Sequence, residues 1–518
     1  MSAVVKETAP VIRCGTRVRL QSEAHARAGR LAAALAGAGI GRGARVAVLL
    51  RNDIEFLEVS LAVAAAGANP VPVNTRWQAP EVAHVLSDSG ARLVIAHTEF
   101  VDVVERAVEI AATAVDLVEV AMPVELLAEA GLEPGLQAPT GRYATLEQWI
   151  DSRPEQLGHI EGAIADSMGL IYTSGTTGRP KGVVRDRMTP EQLLSIAGGS
   201  ARRMGLAPGG EMLVAGPLYH TSPNAVAVLG LRMGTNITVM PRFDAECFLR
   251  HVHTHRVTQA KVVPTMLSRL LSLPEDVRAR YDVSSLTHLI HSAAPCSAAV
   301  KRAAIDWFGD AVVEFYGCTE AGTITWISAA EWLAHPGSVG RPADGSGVVV
   351  ADDHGNPLPP GEIGRVYVRG ADYWPGFTYL GADEKAGPVA GFIGVGDTGY
   401  LDADGFLYLT GRSSEIVIRG GVNIYPAEIE NAVMALPGVE DVAVFGIPDT
   451  GDLGEAVVAH VVPRPGTEVT AETIRSGLRS VLAAFKLPTT IRITAALPRD
   501  DSGKIRKHLL REQYSQRL

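Results

Sequence analysis

Between Glu23 and Ala96 the hydrophobic spacing switches repeatedly between a helical and an extended period, and this rhythm restricts the possible folds most. Glu23 to Leu35 is alanine-rich with one apolar helical face, and Arg45 to Leu50 is a short apolar run. Glu55 to Ala66 is helical again, Pro70 to Val73 extended, Glu81 to Leu86 helical and Arg92 to Ala96 extended. Strand–helix–strand units in series predict a parallel sheet covered by helices. Residues 98–160 are less regular and receive no assignment. The rhythm resumes at Met168 to Tyr172 and again at Lys261 to Val263, followed by a helix from Thr265 to Leu271.

From about Gly340 to Gly411 the pattern changes. Short valine- and glycine-rich strands (Gly347 to Ala351, Ile363 to Val368, Phe406 to Leu409) predict a small antiparallel barrel. A separate compact α+β unit is expected from near Ser414. It has strands at Ile416 to Arg419, Val439 to Phe445, Glu455 to Val462 and Thr490 to Thr494. Its helices are Ala471 to Ala484 and Pro426 to Leu436, the latter with proline in its first turn. The fold class is therefore α/β: a large N-terminal domain of parallel βαβ-type sheets with a small distorted β-barrel, and a small α+β C-terminal domain. A chain of 518 residues suits at least two such cores.

Bulk properties exclude several classes of function. A formal net charge of −10 offers no sequence-independent attraction to nucleic acid or anionic membrane. No apolar run approaches the ~20 residues that span a bilayer, and the N-terminus lacks the hydrophobic segment of a secretion signal. Cys14, Cys247, Cys296 and Cys318 are scattered without metal-ligand spacing. A reducing, cytoplasmic location is expected.

The chemistry concentrates first in the segment after Met168 to Tyr172. Thr173, Ser174, Gly175, Thr176, Thr177 and Gly178 run in sequence, and Lys181 follows between Pro180 and Gly182. Hydroxyls, backbone N–H groups unhindered by Cβ and one cation are the equipment for wrapping a polyphosphate. The segment is not a Walker A loop, which needs Gly-Lys-Ser/Thr opening a helix. A surface turn rich in small residues is the plain alternative.

Further motifs follow in order: Pro217 to His220, Tyr316 to Glu320, Gly396 to Leu401 running on to Gly411 and Arg412, Arg419 to Pro426, and Ser502 to Lys504. Together with the loop they resemble the adenylate-forming superfamily of acyl-CoA synthetases, peptide-synthetase adenylation domains and luciferases, over essentially the whole chain. The resemblance implies an AMP-forming acid–thiol ligase using ATP (or a preformed acyl-AMP), Mg²⁺ and coenzyme A. It implies an AMP-binding domain over residues 1–411 and a mobile C-terminal domain over 412–518, hinged near Ser414. A small-molecule carboxylic acid and CoA are the expected partners, without nucleic acid or a membrane span, and a homodimer is allowed.

By the same resemblance, ATP or AMP is bound by Thr173 to Thr177, Lys181, Glu314, Tyr316, Thr319, Asp397 and Arg412. Tyr316 lies against adenine, Asp397 and Arg412 hold the ribose, and Thr319 reaches the α-phosphate. Glu320 and Thr177 are expected at Mg²⁺. His220 gates the acyl site, although a lone histidine after an apolar stretch is more often a core residue. Thr265, Met266, Ala293, Ala294, Gly317 and Cys318 line the acyl pocket. Gly420 and Gly421 admit the pantetheine arm. Arg242 is expected at a CoA phosphate, and it reads equally well as an ordinary surface charge. Lys504 delivers an ammonium to the oxygens on which charge builds as a carboxylate attacks the α-phosphate.

The pattern departs from the family at Ser414, where aspartate or lysine is usual, at Ile418, and at Phe392 and Val395. These differences leave open a ligase that uses a preformed acyl-adenylate; the sequence also does not decide the thiol, which leaves an adenylating enzyme that loads a carrier protein as a second alternative. The expected acid is bulky: aromatic, sterol- or bile-acid-like, or terpenoid.

Overall fold

The computed structural model describes residues 9–152, 169–173, 181–343, 345–381, 387–419, 422–449, 454–500 and 503–515. Internal contacts divide the chain into two units. The first comprises Met1–Val262, Ser272–Ile290 and Asp372–Lys385, and the second Val263–Leu271, His291–Ala371 and Ala386–Leu518.

In the first unit the strands Asn69–Pro72, Arg45–Leu49, Leu93–His97, Asp116–Val120 and Ala144–Thr145 lie in that order, all parallel. The helix Ile54–Ala65 packs among them, buried on nearly every side, with Asp53 accepting from the Ile54 N–H at its N-terminus. Its acids Glu55 and Glu58 are paired with Arg17, Arg19 and Arg27, as buried carboxylates require. A second parallel set centres on Glu211–Val214, flanked by Asn236–Val239 and Gln259–Val262. Ile171–Thr173, Lys181–Arg185 and Phe377–Tyr379 form a small antiparallel sheet.

Residues 98–160, unassigned from sequence, carry the helix Val101–Ala111, the strand Asp116–Val120 and the helix Leu146–Asp151. The strand escapes a pattern reading because its fully buried Glu119 looks like a surface charge. Its carboxylate in fact accepts from the Thr140 N–H at 2.7 Å and the Thr140 hydroxyl at 2.9 Å.

In the second unit Val312–Cys318 pairs antiparallel with Gly322–Ser328. The strands Gly347–Ala351, Gly364–Arg369, Ile393–Leu401 and Leu407–Arg412 form a four-stranded antiparallel sheet. It lies where the sequence predicts the small distorted barrel. Nearer the C-terminus, Val439–Pro448 and Glu455–Pro463 pair antiparallel, and Thr490–Ile493 adds in parallel. The helices Pro426–Met434 and Ala471–Arg479 cover this sheet around a core containing Ile429, Val433, Ile474 and Leu478. Among the described residues, no helix is long and apolar enough to cross a membrane.

Candidate active site

In the second unit, the pairing of Val312–Cys318 shifts register between Tyr316 and Gly317. Such an irregularity re-aims the neighbouring side chain. A Cβ on Gly317 would lie 2.1 Å from the Gly322 carbonyl oxygen, so only glycine fits there. The Tyr316 hydroxyl donates to Asp397 Oδ2 at 2.6 Å. Asp397 and Arg412 stand opposite each other across Ile393–Leu401 and Leu407–Arg412, with Arg412 Nε 3.3 Å from Asp397 Oδ1. Burial raises the Asp397 carboxyl above its ordinary range, while Arg412, the Tyr316 hydroxyl and Lys504 pull it back down. Three of the expected nucleotide residues are thus linked through Asp397, by one hydrogen bond and one ion pair.

Lys504 joins them. It sits at the base of a hairpin closed by an Arg499–Ile505 bridge. The Asp500 N–H donates to the Lys504 carbonyl at 2.8 Å, and the Lys504 N–H to Asp500 Oδ1 at 2.9 Å. Arg499 clamps the hairpin to Asp441 with contacts of 2.6 to 3.1 Å. Gly503 adopts φ +81°, and a Cβ there would lie 3.0 Å from Thr265 Oγ1. Loss of solvation from the surrounding protein lowers the Lys504 pKa, Arg412 adds like-charge repulsion, and Asp500, Asp397 and Glu320 oppose both. The Lys504 residue nonetheless keeps an exposed surface.

Thr319 and Glu320 occupy the turn between the two strands, half-buried. Burial raises the Cys318 thiol and the Glu320 carboxylate raises it further. Thr265 and Met266 open the helix Pro264–Leu271. Ala293 holds a left-handed φ of 77° without being glycine, a conformation that costs about 1–3 kcal/mol and concentrates at functional sites. Ala294 follows it, half-buried.

Glu314, expected at the nucleotide, is buried and ion-paired. Its buried carboxylate accepts from Lys301 Nζ, and Lys301 is itself only 1% exposed. His291 Nε2 stands 3.8 Å from the same oxygen, too far to bond. Burial and the Lys301 charge depress the His291 pKa, keeping the ring neutral. The side chain of Glu314 is committed to a structural ion pair that sequence reading missed.

In the first unit, His220 is the N-cap of the helix Thr221–Arg232, its ring 4.7 Å from that of Tyr219. Asn52 sets the turn before it. The Asn52 amide donates to Gly216 O at 2.9 Å and Met240 O at 3.0 Å, and its oxygen accepts from the Leu218 N–H at 2.7 Å. Nothing in the local sequence marks Asn52, which lies far from the motif it holds. Thr173 and Lys181 face each other in register, and Lys181 Nζ lies 5.8 Å from the Tyr379 ring centroid. Arg242 is exposed. Ser174, Gly175, Thr176, Thr177, Gly420 and Gly421 lie outside the described residues.

A family model described as AMP-binding enzyme matches residues 15–378, and one described as AMP-binding enzyme C-terminal domain matches 428–504. The chain is 34% identical over 512 residues to a feruloyl-CoA synthase of Amycolatopsis, covering 98% of this chain and 96% of that protein. It is 33% identical over 518 residues to the long-chain-fatty-acid–CoA ligase FadD13 of Mycobacterium tuberculosis, covering 96% and 94%. Its fold matches ATP-bound MatB from Rhodopseudomonas palustris with a TM-score of 0.82 and 29% identity, over 98% and 97% of the two chains. The chain therefore belongs to the adenylate-forming superfamily of AMP-binding enzymes and is an acid–thiol ligase of its acyl-CoA synthetase branch.

Proposed function

We propose that this enzyme activates a bulky carboxylic acid with ATP and passes the acyl group to coenzyme A. The observation that carries the reading is the grouping of Tyr316, Asp397, Arg412 and Lys504 in one hydrogen-bonded and electrostatically linked cluster. Asp397, an acceptor with Arg412 already beside it, is suited to ribose hydroxyls, and Tyr316 to the adenine face. The carboxylate oxygen of the acid attacks the α-phosphorus as the bond to pyrophosphate breaks. Lys504 offers an ammonium to the oxygens that gain charge. The CoA sulfur then attacks the acyl carbon, AMP leaves with the mixed-anhydride oxygen, and the thiol proton goes to solvent.

Glu320 fits a magnesium ion. It is a hard oxygen donor beside Lys504, and its field reaches that amine. Mg²⁺ takes one or two protein carboxylates and completes its shell with water and substrate phosphates. Glu320 would hold it, and the ion would neutralise charge on the departing pyrophosphate.

Residues 1–411 serve in this reading as the AMP-binding domain and 412–518 as a lobe that rotates near Ser414. The hinge candidate is a single turn, Ser413–Glu415, suited to concentrating a φ/ψ change. After rotation the glycines at 420 and 421 would face the pantetheine arm, and Arg242 a CoA phosphate. A bulky acid is supported by the small residues Ala293, Ala294 and Gly317 and by the likeness to a feruloyl-CoA synthase, with His220 as the acyl gate. Four free cysteines suit a cytoplasmic enzyme.

Acid-dependent exchange of labelled pyrophosphate into ATP tests the reading. Exchange with an aromatic acid, followed by AMP and thioester release on adding CoA, is expected. Thioester formed only from supplied acyl-adenylate, with no exchange for any acid, would contradict it.

A further inference from the structure

The strand Gln259–Val262 carries two polar side chains where a buried parallel strand ordinarily carries none. Its register with Glu211–Val214 sets Gln259 beside Met212 and Lys261 beside Val214. Alternation of side chains therefore places Gln259 and Lys261 on one face together with Met212 and Val214. The helix Thr221–Arg232 covers that face: a Cβ on Gly230 would lie 3.2 Å from Met212 Sδ. Lys261 Nζ donates to the hydroxyl of Ser222, in the first turn of this helix and two residues beyond His220.

Gln259 is completely buried, and neither its amide nitrogen nor its oxygen has a hydrogen-bond partner among the described residues. Buried polar atoms are almost always satisfied. An unsatisfied amide two residues from a buried amine, between helix and sheet, calls for a polar ligand. Lys261 lies near the carboxyl end of its strand, the end where open α/β sheets bind ligands.

We infer that Gln259, Lys261 and Ser222 form a polar inner wall of the acyl site that selects acids carrying a second oxygen acceptor, a ketone or an anionic group, remote from the activated carboxylate. The inference rests on the acyl-CoA synthetase reading and on His220 marking the mouth of the acyl site. Burial lowers the Lys261 amine to a pKa of about 7, and the nitrogen donates hydrogen bonds in either protonation state. An acid with an apolar end would leave both side chains buried against hydrocarbon, which a site built for hydrogen bonding discriminates against.

The test compares three arylalkanoic acids of matched length, ending in a methyl, a methyl ketone or a carboxylate. Wild type, Lys261→Met and Gln259→Leu enzymes are assayed for thioester formation and pyrophosphate exchange. Wild type is expected to prefer the ketone or the dicarboxylate over the methyl acid by about tenfold or more in kcat/KM, and the better of the two identifies the acceptor. Lys261→Met should abolish that preference by raising KM for the acceptor-bearing acids, with KM for ATP unchanged. Gln259→Leu should act in the same direction. Both variants replace a polar side chain with an apolar one of similar size, and an unchanged thermal midpoint verifies folding. A wild-type enzyme without preference, or variants that slow all three acids equally, would overturn the inference while leaving acyl-CoA synthesis intact. Absence of exchange with every acid would overturn both readings.

Discussion

Replacing Lys504 by alanine is expected to slow acyl-adenylate formation about 10²–10³-fold while sparing attack of CoA on supplied adenylate. The asymmetry follows from where the amine sits. It is held at the base of a hairpin that Arg499 ties to Asp441, and it feels the charges of Asp397, Glu320 and Arg412. A donor fixed before the reaction needs no reorganisation when charge develops, which is why its loss is costly. Charge on the α-phosphate oxygens matters to the first half-reaction. In the second, the acyl carbon is attacked and AMP is already the leaving group. Single-turnover assays of each step, with Lys504→Arg as the charge-preserving comparison, separate the effects. Equal losses in both steps would remove Lys504 from the adenylation role.

The second large effect is on stability. Lys301→Ala should destabilise the second unit by about 3–5 kcal/mol, because it strands a buried carboxylate. Lys301 is 1% and Glu314 6% exposed, so water cannot replace the missing partner. The ammonium also stands 5.2 Å from the Trp332 ring centroid, adding a cation–π contact that alanine loses. Removing both charges in Lys301→Met/Glu314→Leu should restore most of the loss, since apolar replacement of a buried pair is often neutral or stabilising. Denaturant midpoints of the two single variants and the double variant decide this. A double variant as unstable as the sum of the singles would show that the pair is not the source of the effect.

Legibility from sequence tracked how local the determining physics is. The helices and parallel strands between Gln21 and His97 were readable because each buries a continuous apolar face. Asp116–Val120 and Gln259–Val262 were harder, since Glu119, Gln259 and Lys261 are polar residues inside fully buried strands. A period-based reading treats such residues as solvent-facing, so Lys261 passed as an ordinary strand residue. The antiparallel strands at Gly347–Arg412 are legible from their valine-rich alternation.

At the site, Tyr316, Asp397, Arg412 and Lys504 were nameable from their motifs. Their mutual contacts were not, because Tyr316 and Asp397 are 81 residues apart and meet only through tertiary packing. Glu314 shows the reverse. The resemblance names it as a nucleotide contact, and its ion pair with the buried Lys301 has no sequence signal. Asn52, which braces the turn leading to His220, had no sequence signal at all.

The most direct measurement is a crystal structure with a non-hydrolysable acyl-sulfamoyl adenosine. Adenine is expected against Tyr316, both ribose hydroxyls on Asp397, and Lys504 Nζ within hydrogen-bonding distance of the sulfamoyl oxygens that stand in for the α-phosphate. Adenosine bound away from Tyr316, or an Asp397 carboxylate that leaves the ribose unbonded, would contradict that arrangement.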